Sequence, residues 1–306
     1  MLRSAFIALS TNKPLRRFSE RSAIGRKLSG RFVAGMTIEE VIRAAESLQN
    51  QGIASTLDAL GENVYTEEEA ERSADSYHQL LDSIQKRRLR DSNVSLKLTQ
   101  MGMDIDPALA ENIVRKLTTH AAAIDSFVRV DMEGSPYTQA TVDMVRRLHA
   151  EPGAKGRVGT VIQAYLFRSE ADIKLLCSEG IRIRLCKGAY KEPAEIAFPE
   201  KKDVDANYVK LMQQLLTSGV FHGMATHDEK IIEQTKQFVS EQNIARESFE
   251  FQMLYGIRRD LQESLVKEGY RMRVYIPFGP EWYPYFMRRL AERPANAIFI
   301  AKQFFK

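Results

Sequence analysis

RMRVYIPFGPEWYPYFMRRLAERPAN, residues 271–296, reads as a buried strand, a tight connection and a short helix packed with polar handles. Within the helix Tyr285 lies three residues before Arg288 and four before Arg289, so one face can present a phenol and two guanidiniums together. Arginine grips a carboxylate through two parallel hydrogen bonds, and tyrosine offers an apolar ring with a polar tip. That face is a candidate anion clamp with an aromatic wall. The alternative is a solvated arginine pair above core aromatics, since charges are usually exposed.

Going back along the chain, the same strand-then-helix unit recurs. Strands are expected at 53–60, 94–99, 127–131, 158–165, 181–187, 223–227, 249–254 and 272–277. Amphipathic, charged stretches fill the gaps at 67–86, 107–121, 137–149, 170–178, 204–216, 229–242 and 259–267. Eight such units in one uninterrupted series fit a closed (β/α)8 barrel better than an open doubly wound sheet. The 306 residues could hold two ordinary domains, but such a barrel takes about 250 and no Pro/Gly/Ser-rich linker divides the series. The chain is therefore read as one domain, 1–306, with a helical amino-terminal segment at 1–50 and the barrel at 51–306.

A barrel should carry its functional side chains at the carboxyl ends of its strands. Strand two delivers Lys97 and Thr99, strand three Asp131 with Glu133 just past it, and strand four Gln163 and Tyr165. Strand five carries Arg184 and Lys187 before Gly188, strand six ends Thr226-His227-Asp228, strand seven has Glu250 and Gln252, and strand eight has Tyr275. A buried polar group without a partner costs about 1 to 3 kcal/mol, so their accumulation at one end points to a site. Lys97 reads three ways: as a Schiff-base lysine, as an anion ligand, or as half of an internal salt bridge with Asp131 on the adjacent strand. The run RLCKGAY, 184–190, sets cations beside a glycine where a backbone can approach closely, which suits a phosphate or a cofactor edge. His227 at a strand end is more often structural than catalytic, and no other His or Cys is placed to complete a metal set.

Composition narrows the classes. With 44% hydrophobic and 27% charged residues the chain is globular. A net charge of +4 and a pI of about 8.9 suit anionic ligands or an anionic membrane surface but fall short of a nucleic-acid stripe. Cys177 and Cys186 form no CxxC, which argues for a reducing compartment. No apolar run of about 18 residues occurs. There is no GxGxxG and no GxxxxGK[ST], so any nucleotide cofactor would bind barrel-style. At the amino terminus Arg3, Lys13, Arg16, Arg17, Arg21, Arg26, Lys27 and Arg31 face only Glu20. A structural cap is favoured there over membrane-surface contact or a targeting signal. Thr37 to Glu40 reads as a capping box opening a helix through Leu48, stopped by Gly52.

Taken in order, VSLKLTQMG (94–102), VRVDMEGS (128–135), VIQAYL (161–166), RIRLCKGAYKE (182–192), ATHD (225–228), FEFQMLYG (249–256), RVYIPFG (273–279) and WYPYFMRRLAERPAN (282–296) resemble the proline dehydrogenase family in its small single-function bacterial form. The likeness covers nearly the whole chain from the first strand onward, more loosely at the amino terminus. It carries no DNA-binding or aldehyde dehydrogenase segment of the sort the long multifunctional relatives have. The resemblance implies a distorted barrel holding FAD, with the last helix over the barrel mouth. It further implies oxidation of L-proline to Δ1-pyrroline-5-carboxylate by hydride transfer from ring carbon C5 to flavin N5, the first step of proline catabolism, with electrons passed to a quinone. By the same similarity Arg288 and Arg289 hold the substrate carboxylate with Lys97 as a third cation, while Asp131 and Arg184 have catalytic importance. Tyr275, Tyr285 and Leu254 line the proline site; Met132, Gln163, Lys187, Gly188, Ala189, Thr226 and His227 contact the flavin. No metal is implied. The location implied is cytoplasmic, with peripheral contact at the inner face of the cell membrane as a further option. Two rival functions remain open from the residues alone: a lyase or aldolase barrel with Lys97 or Lys187 as Schiff base, and a non-catalytic membrane-surface protein carried by the basic amino-terminal helices.

Overall fold

An amphipathic stretch too long for a hairpin lets successive strands run parallel, and a closed ring of parallel strands leaves no edge to protect. The computed structural model describes residues 30–61 and 63–292, with side chains as far as Met287. Its strands are β1 (Ala54–Ala59), β2 (Asn93–Leu96), β3 (Val128–Val130), β4 (Val158–Gln163), β5 (Arg182–Cys186), β6 (His222–Ala225), β7 (Phe249–Leu254) and β8 (Arg271–Phe278). They hydrogen-bond in chain order into a closed barrel. Closure runs from Ala54 opposite Arg273 to Ala59 opposite Phe278. The β1–β2 seam is held more briefly, by Thr56 with Asn93 and Leu57 with Val94.

Helices α1 (Ile38–Gln49), α2 (Glu67–Lys86), α3 (Pro107–Ala123), α4 (Ser135–His149), α5 (Ser169–Ser178), α6 (Lys201–Leu216), α7 (Glu229–Glu241) and α8 (Arg259–Lys267) lie between the strands, α1 ahead of β1. The capping box of α1 is present: Thr37 Oγ1 accepts from Glu40 N at 3.3 Å, and Glu40 Oε2 accepts from Thr37 N at 3.0 Å. Asp106 caps α3 ahead of Pro107, and Asp228 caps α7 through Lys230 N. Each cap satisfies an otherwise orphaned donor where the chain turns at the barrel end.

The expected strands all occur, but several stop earlier. Strand two ends at Leu96 because Thr99–Met101 is a 3-10 turn, pinned where Thr99 N and Oγ1 donate to Glu133 at 3.1 and 2.6 Å. Strands three and four end at Val130 and Gln163, so Asp131 and Tyr165 lie just past the ladder, at the mouth.

The barrel interior is unusually charged toward its amino-terminal end. Arg273 donates from Nε to Glu250 at 2.7 Å, with both side chains almost fully covered. Burial opposes ionisation of Glu250, but the charges of Arg273 and Arg182 and the hydrogen bonds from Arg273 and Gln252 outweigh it and hold its pKa below the usual range. Arg129 Nη1 donates to Thr160 O and Arg182 O at 2.8 and 2.6 Å. Gly159 makes room for this: a Cβ there would lie 2.2 Å from Arg182 O.

After β8, α9 (Trp282–Glu292) brings Trp282, Tyr283, Tyr285, Phe286 and Met287 into a cluster with Phe32, Val33 and Leu60. Leu60 follows β1 and Ile257, packed on the same cluster, follows β7, so α9 sits at the carboxyl-terminal face as expected. The basic segment 1–29 and residues 293–296 of the last motif lie outside the described residues.

Candidate active site

Side chains from β2, β5 and β8 converge on one carboxylate at the end of β3. Asp131, first residue after β3, accepts at Oδ1 from Ser95 Oγ (2.6 Å) and Arg184 Nη1 (2.7 Å), and at Oδ2 from the Tyr275 hydroxyl (2.9 Å). Arg184 crosses the barrel from β5, donating through Nε to Gln252 Oε1 of β7 at 2.6 Å, with its guanidinium 5.1 Å from the Tyr275 ring centre. Gly223 permits this reach, since a Cβ there would stand 2.3 Å from Gln252 Nε2. Gln252 is in turn held by Glu250 at 2.6 Å, so the mouth network is braced by the charged floor. Burial pushes the Tyr275 phenol well above its ordinary pKa, and Asp131 and Asp58 push the same way. The phenol therefore stays a donor.

Of the three readings open for Lys97, the internal salt bridge is formed, but with Asp58 near the end of β1, 3.3 Å from Nζ, rather than with Asp131. Asp58 was overlooked, although a charged residue within the strand IASTLDAL was a legible signal of the same kind as the others. It accepts a further bond from Tyr77 of α2 at 3.3 Å. Burial raises its pKa, Lys97 opposes, and nearby Asp131 raises it again. Two carboxylates, a lysine, an arginine and two tyrosines thus share one end of the barrel.

A second group forms across the ends of β4, β5 and β6. Gln163 donates to Glu133 O at 3.0 Å and accepts from Ala189 N at 3.4 Å. Gly188 has φ +121°, and a Cβ would lie 2.4 Å from the Tyr165 ring, so the backbone of 188–189 stays bare and exposed at the mouth. Lys187 is committed to Asp205 of α6 (2.5 Å) and Asp228 (2.8 Å), two acids that sequence reasoning did not connect to it. Thr226 Oγ1 accepts from Asp228 N at 3.1 Å, and His227 Nε2 accepts from Leu254 N at 2.9 Å, which fixes that ring against β7. Met132 is buried beside the end of β3. Bare backbone, strand-end cations and a bridging amide fit a cofactor with phosphates and a polar-edged ring. We expect Gly188→Ala to lower folding stability by about 1 to 3 kcal/mol through overpacking. Gly153→Ala, where φ is also positive at +81° but nothing lies within 4 Å, should cost less in the same denaturation measurement.

Tyr285 is buried in the α9 cluster, while the side chains of Arg288 and Arg289 lie outside the described residues. Among the described residues no helix is long and apolar enough to cross a membrane.

The sequence profile described as proline dehydrogenase matches residues 41–302. The chain belongs to the proline dehydrogenase family. It is 44% identical over 307 residues to proline dehydrogenase 1 of Bacillus subtilis subsp. natto, covering 100% of both chains. It is 43% identical to proline dehydrogenase of Deinococcus radiodurans, covering 91% of this chain and 90% of that one. Among solved structures, proline utilization A (PutA) from Bdellovibrio bacteriovorus, inactivated by N-propargylglycine, superposes with a TM-score of 0.83 at 26% identity. That match covers 92% of this chain and 34% of the PutA chain, so the family barrel here corresponds to about a third of the longer protein. As a proline dehydrogenase family member the chain is an oxidoreductase on a closed (β/α)8 barrel.

Proposed function

We propose that this chain, as a single barrel domain, oxidises L-proline to Δ1-pyrroline-5-carboxylate with FAD at the carboxyl-terminal face. The observation that carries this reading is the gathering of Lys97, Asp131, Arg184 and Tyr275 at one end of the barrel, in a chain of this family. When bound, the flavin supplies the hydride acceptor for ring carbon C5, which must come within about 3 to 3.5 Å of N5. Gln163, Lys187, the 188–189 backbone, Thr226, His227 and Met132 are the residues that would hold it.

Arg288, Arg289 and Lys97 fix the substrate carboxylate and Tyr275, Tyr285 and Leu254 shape the ring's pocket. Hydride loss leaves a positive iminium, so the amine must first be neutral, and neighbouring cations favour that form. Asp131 holds Arg184 and Tyr275 in place, and Arg184, with Lys187 near the cofactor, favours negative charge developing beside it. A quinone is the proposed electron acceptor, which would set the chain peripherally on the inner face of the cell membrane; flotation with anionic liposomes tests that contact.

Anaerobic addition of L-proline to the purified protein should bleach a flavin absorbance. Arg288→Ala or Arg289→Ala should keep the yellow colour and need about tenfold or more proline for the same bleaching, the loss expected for one charged hydrogen bond. A colourless protein after reconstitution with FAD would remove the cofactor from this reading. Borohydride trapping of a lysine adduct would point instead to the Schiff-base alternative.

A further inference from the structure

The amino-terminal strand ends form the floor of the barrel, away from Asp131 and Lys97. There Phe127 precedes β3, Arg182 opens β5, Phe221 precedes β6 and Arg271 opens β8. Arg182 lies over two rings, its guanidinium carbon 4.6 Å from the Phe127 centroid and 4.7 Å from that of Phe221. Phe127 also carries Arg129 at 4.7 Å, and Phe221 carries Arg271 at 5.3 Å. Guanidiniums and rings therefore alternate along the floor. A ring covers the flat face of a guanidinium and leaves the edge, where every N–H points.

The neighbouring edges have acceptors. Arg271 reaches Asp91 at 3.2 Å, Arg157 reaches Asp125 at 2.5 Å, and Arg273 is paired with Glu250. Arg129, only 2% exposed, spends Nη1 on two carbonyls and leaves Nε without a partner. The Arg182 guanidinium makes no hydrogen bond and no ion pair with a described residue, and its Nε is buried. Burial disfavours its charge, Glu250 offsets part of that, and Arg273, Arg271 and Arg157 disfavour it further. Arginine nonetheless keeps its proton, so a charge only partly offset by Glu250 stays in place. Arg129, Arg157, Arg182, Arg271 and Arg273 face Asp91, Asp125 and Glu250, an excess of two positive charges.

We propose that the barrel floor binds a small tetrahedral dianion, phosphate in type, against the edge of Arg182, with Arg157 and Arg271 flanking it. The two rings hold the Arg182 fork in one orientation, so little side-chain freedom is lost on binding. The site lies at the opposite end of the barrel from Asp131 and Lys97.

Inorganic phosphate is titrated into the full-length, flavin-loaded protein by calorimetry, and its effect on the melting temperature is compared with sodium chloride at equal ionic strength. Saturable binding at one site and a rise in melting temperature that chloride does not reproduce are expected. Arg182→Gln should weaken phosphate at least tenfold while proline still bleaches the flavin. Arg271→Gln, on a more exposed side chain, keeps the fold testable and should weaken binding severalfold by removing one flanking charge. Glycerol 3-phosphate in parallel separates sources: binding of both assigns a phosphorylated metabolite, and binding of phosphate alone assigns the free ion. If chloride gives the same effect, or Arg271→Gln binds phosphate as the wild type does, there is an adventitious ion only and the site is refuted.

Discussion

Arg184→Ala is expected to remove about 3 to 5 kcal/mol of folding stability, the range for breaking one half of a buried ion pair, and to slow reduction of the flavin by proline. The side chain is 8% exposed and its partner Asp131 14% exposed, so neither charge is compensated by water when the other goes. Alanine leaves Asp131 with the neutral donors Ser95 and Tyr275, and leaves Gln252 Oε1 without its guanidinium. Arg184→Lys separates charge from geometry. A point ammonium cannot satisfy Gln252 at 2.6 Å and Asp131 at 2.7 Å in the fixed fork that arginine provides, so it should recover part of the stability and little of the rate. Urea denaturation reports the first quantity and stopped-flow bleaching the second. Wild-type values for both in Arg184→Ala would mean that the network bears neither load.

The same network marks how far sequence reasoning reaches. Strand order and the polar strand ends were legible because apolar strands and amphipathic helices alternate without interruption, and because Lys97, Asp131, Arg184 and Tyr275 are costly in such strands. Which of them touch was not legible. Arg184 of β5 meets Asp131 beside β3 and Gln252 of β7, partners on strands it does not adjoin, through the barrel interior. No local spacing encodes a contact across a closed ring. Lys97 illustrates the complementary failure: β2 has two neighbours, and nothing in SLKLTQ says whether its ammonium turns to β3 or to β1. The glycines were informative in a way that only packing reveals, since Gly159 and Gly223 are empty where a guanidinium and an amide pass.

Lys97→Met tests the choice of Asp58 as partner. Asp58 is buried and its folded pKa is raised, so its ionisation costs stability. The stability of the fold with Asp58 protonated is fully present below the ordinary carboxylate pKa of about 3.9 and is lost as pH rises through the folded value. Lys97 limits the raise by its charge and hydrogen bond. Without it the folded pKa of Asp58 moves higher, and the variant should keep losing stability relative to wild type over a wider window of rising pH. The deficit should be small in acid and approach about 3 to 5 kcal/mol once Asp58 is forced to ionise, with protonation capping it below that point. Adding Asp58→Asn to Lys97→Met should flatten that part of the pH dependence, because residue 58 no longer carries a carboxyl that titrates. In the same variant the half-saturating proline concentration should rise about tenfold to a hundredfold, the effect of losing one charged contact to a carboxylate. A stability deficit that stays constant from acid to alkaline pH would show that Lys97 is balanced by a group other than Asp58, and an unchanged proline dependence would show that its ammonium faces Asp58 without serving the substrate.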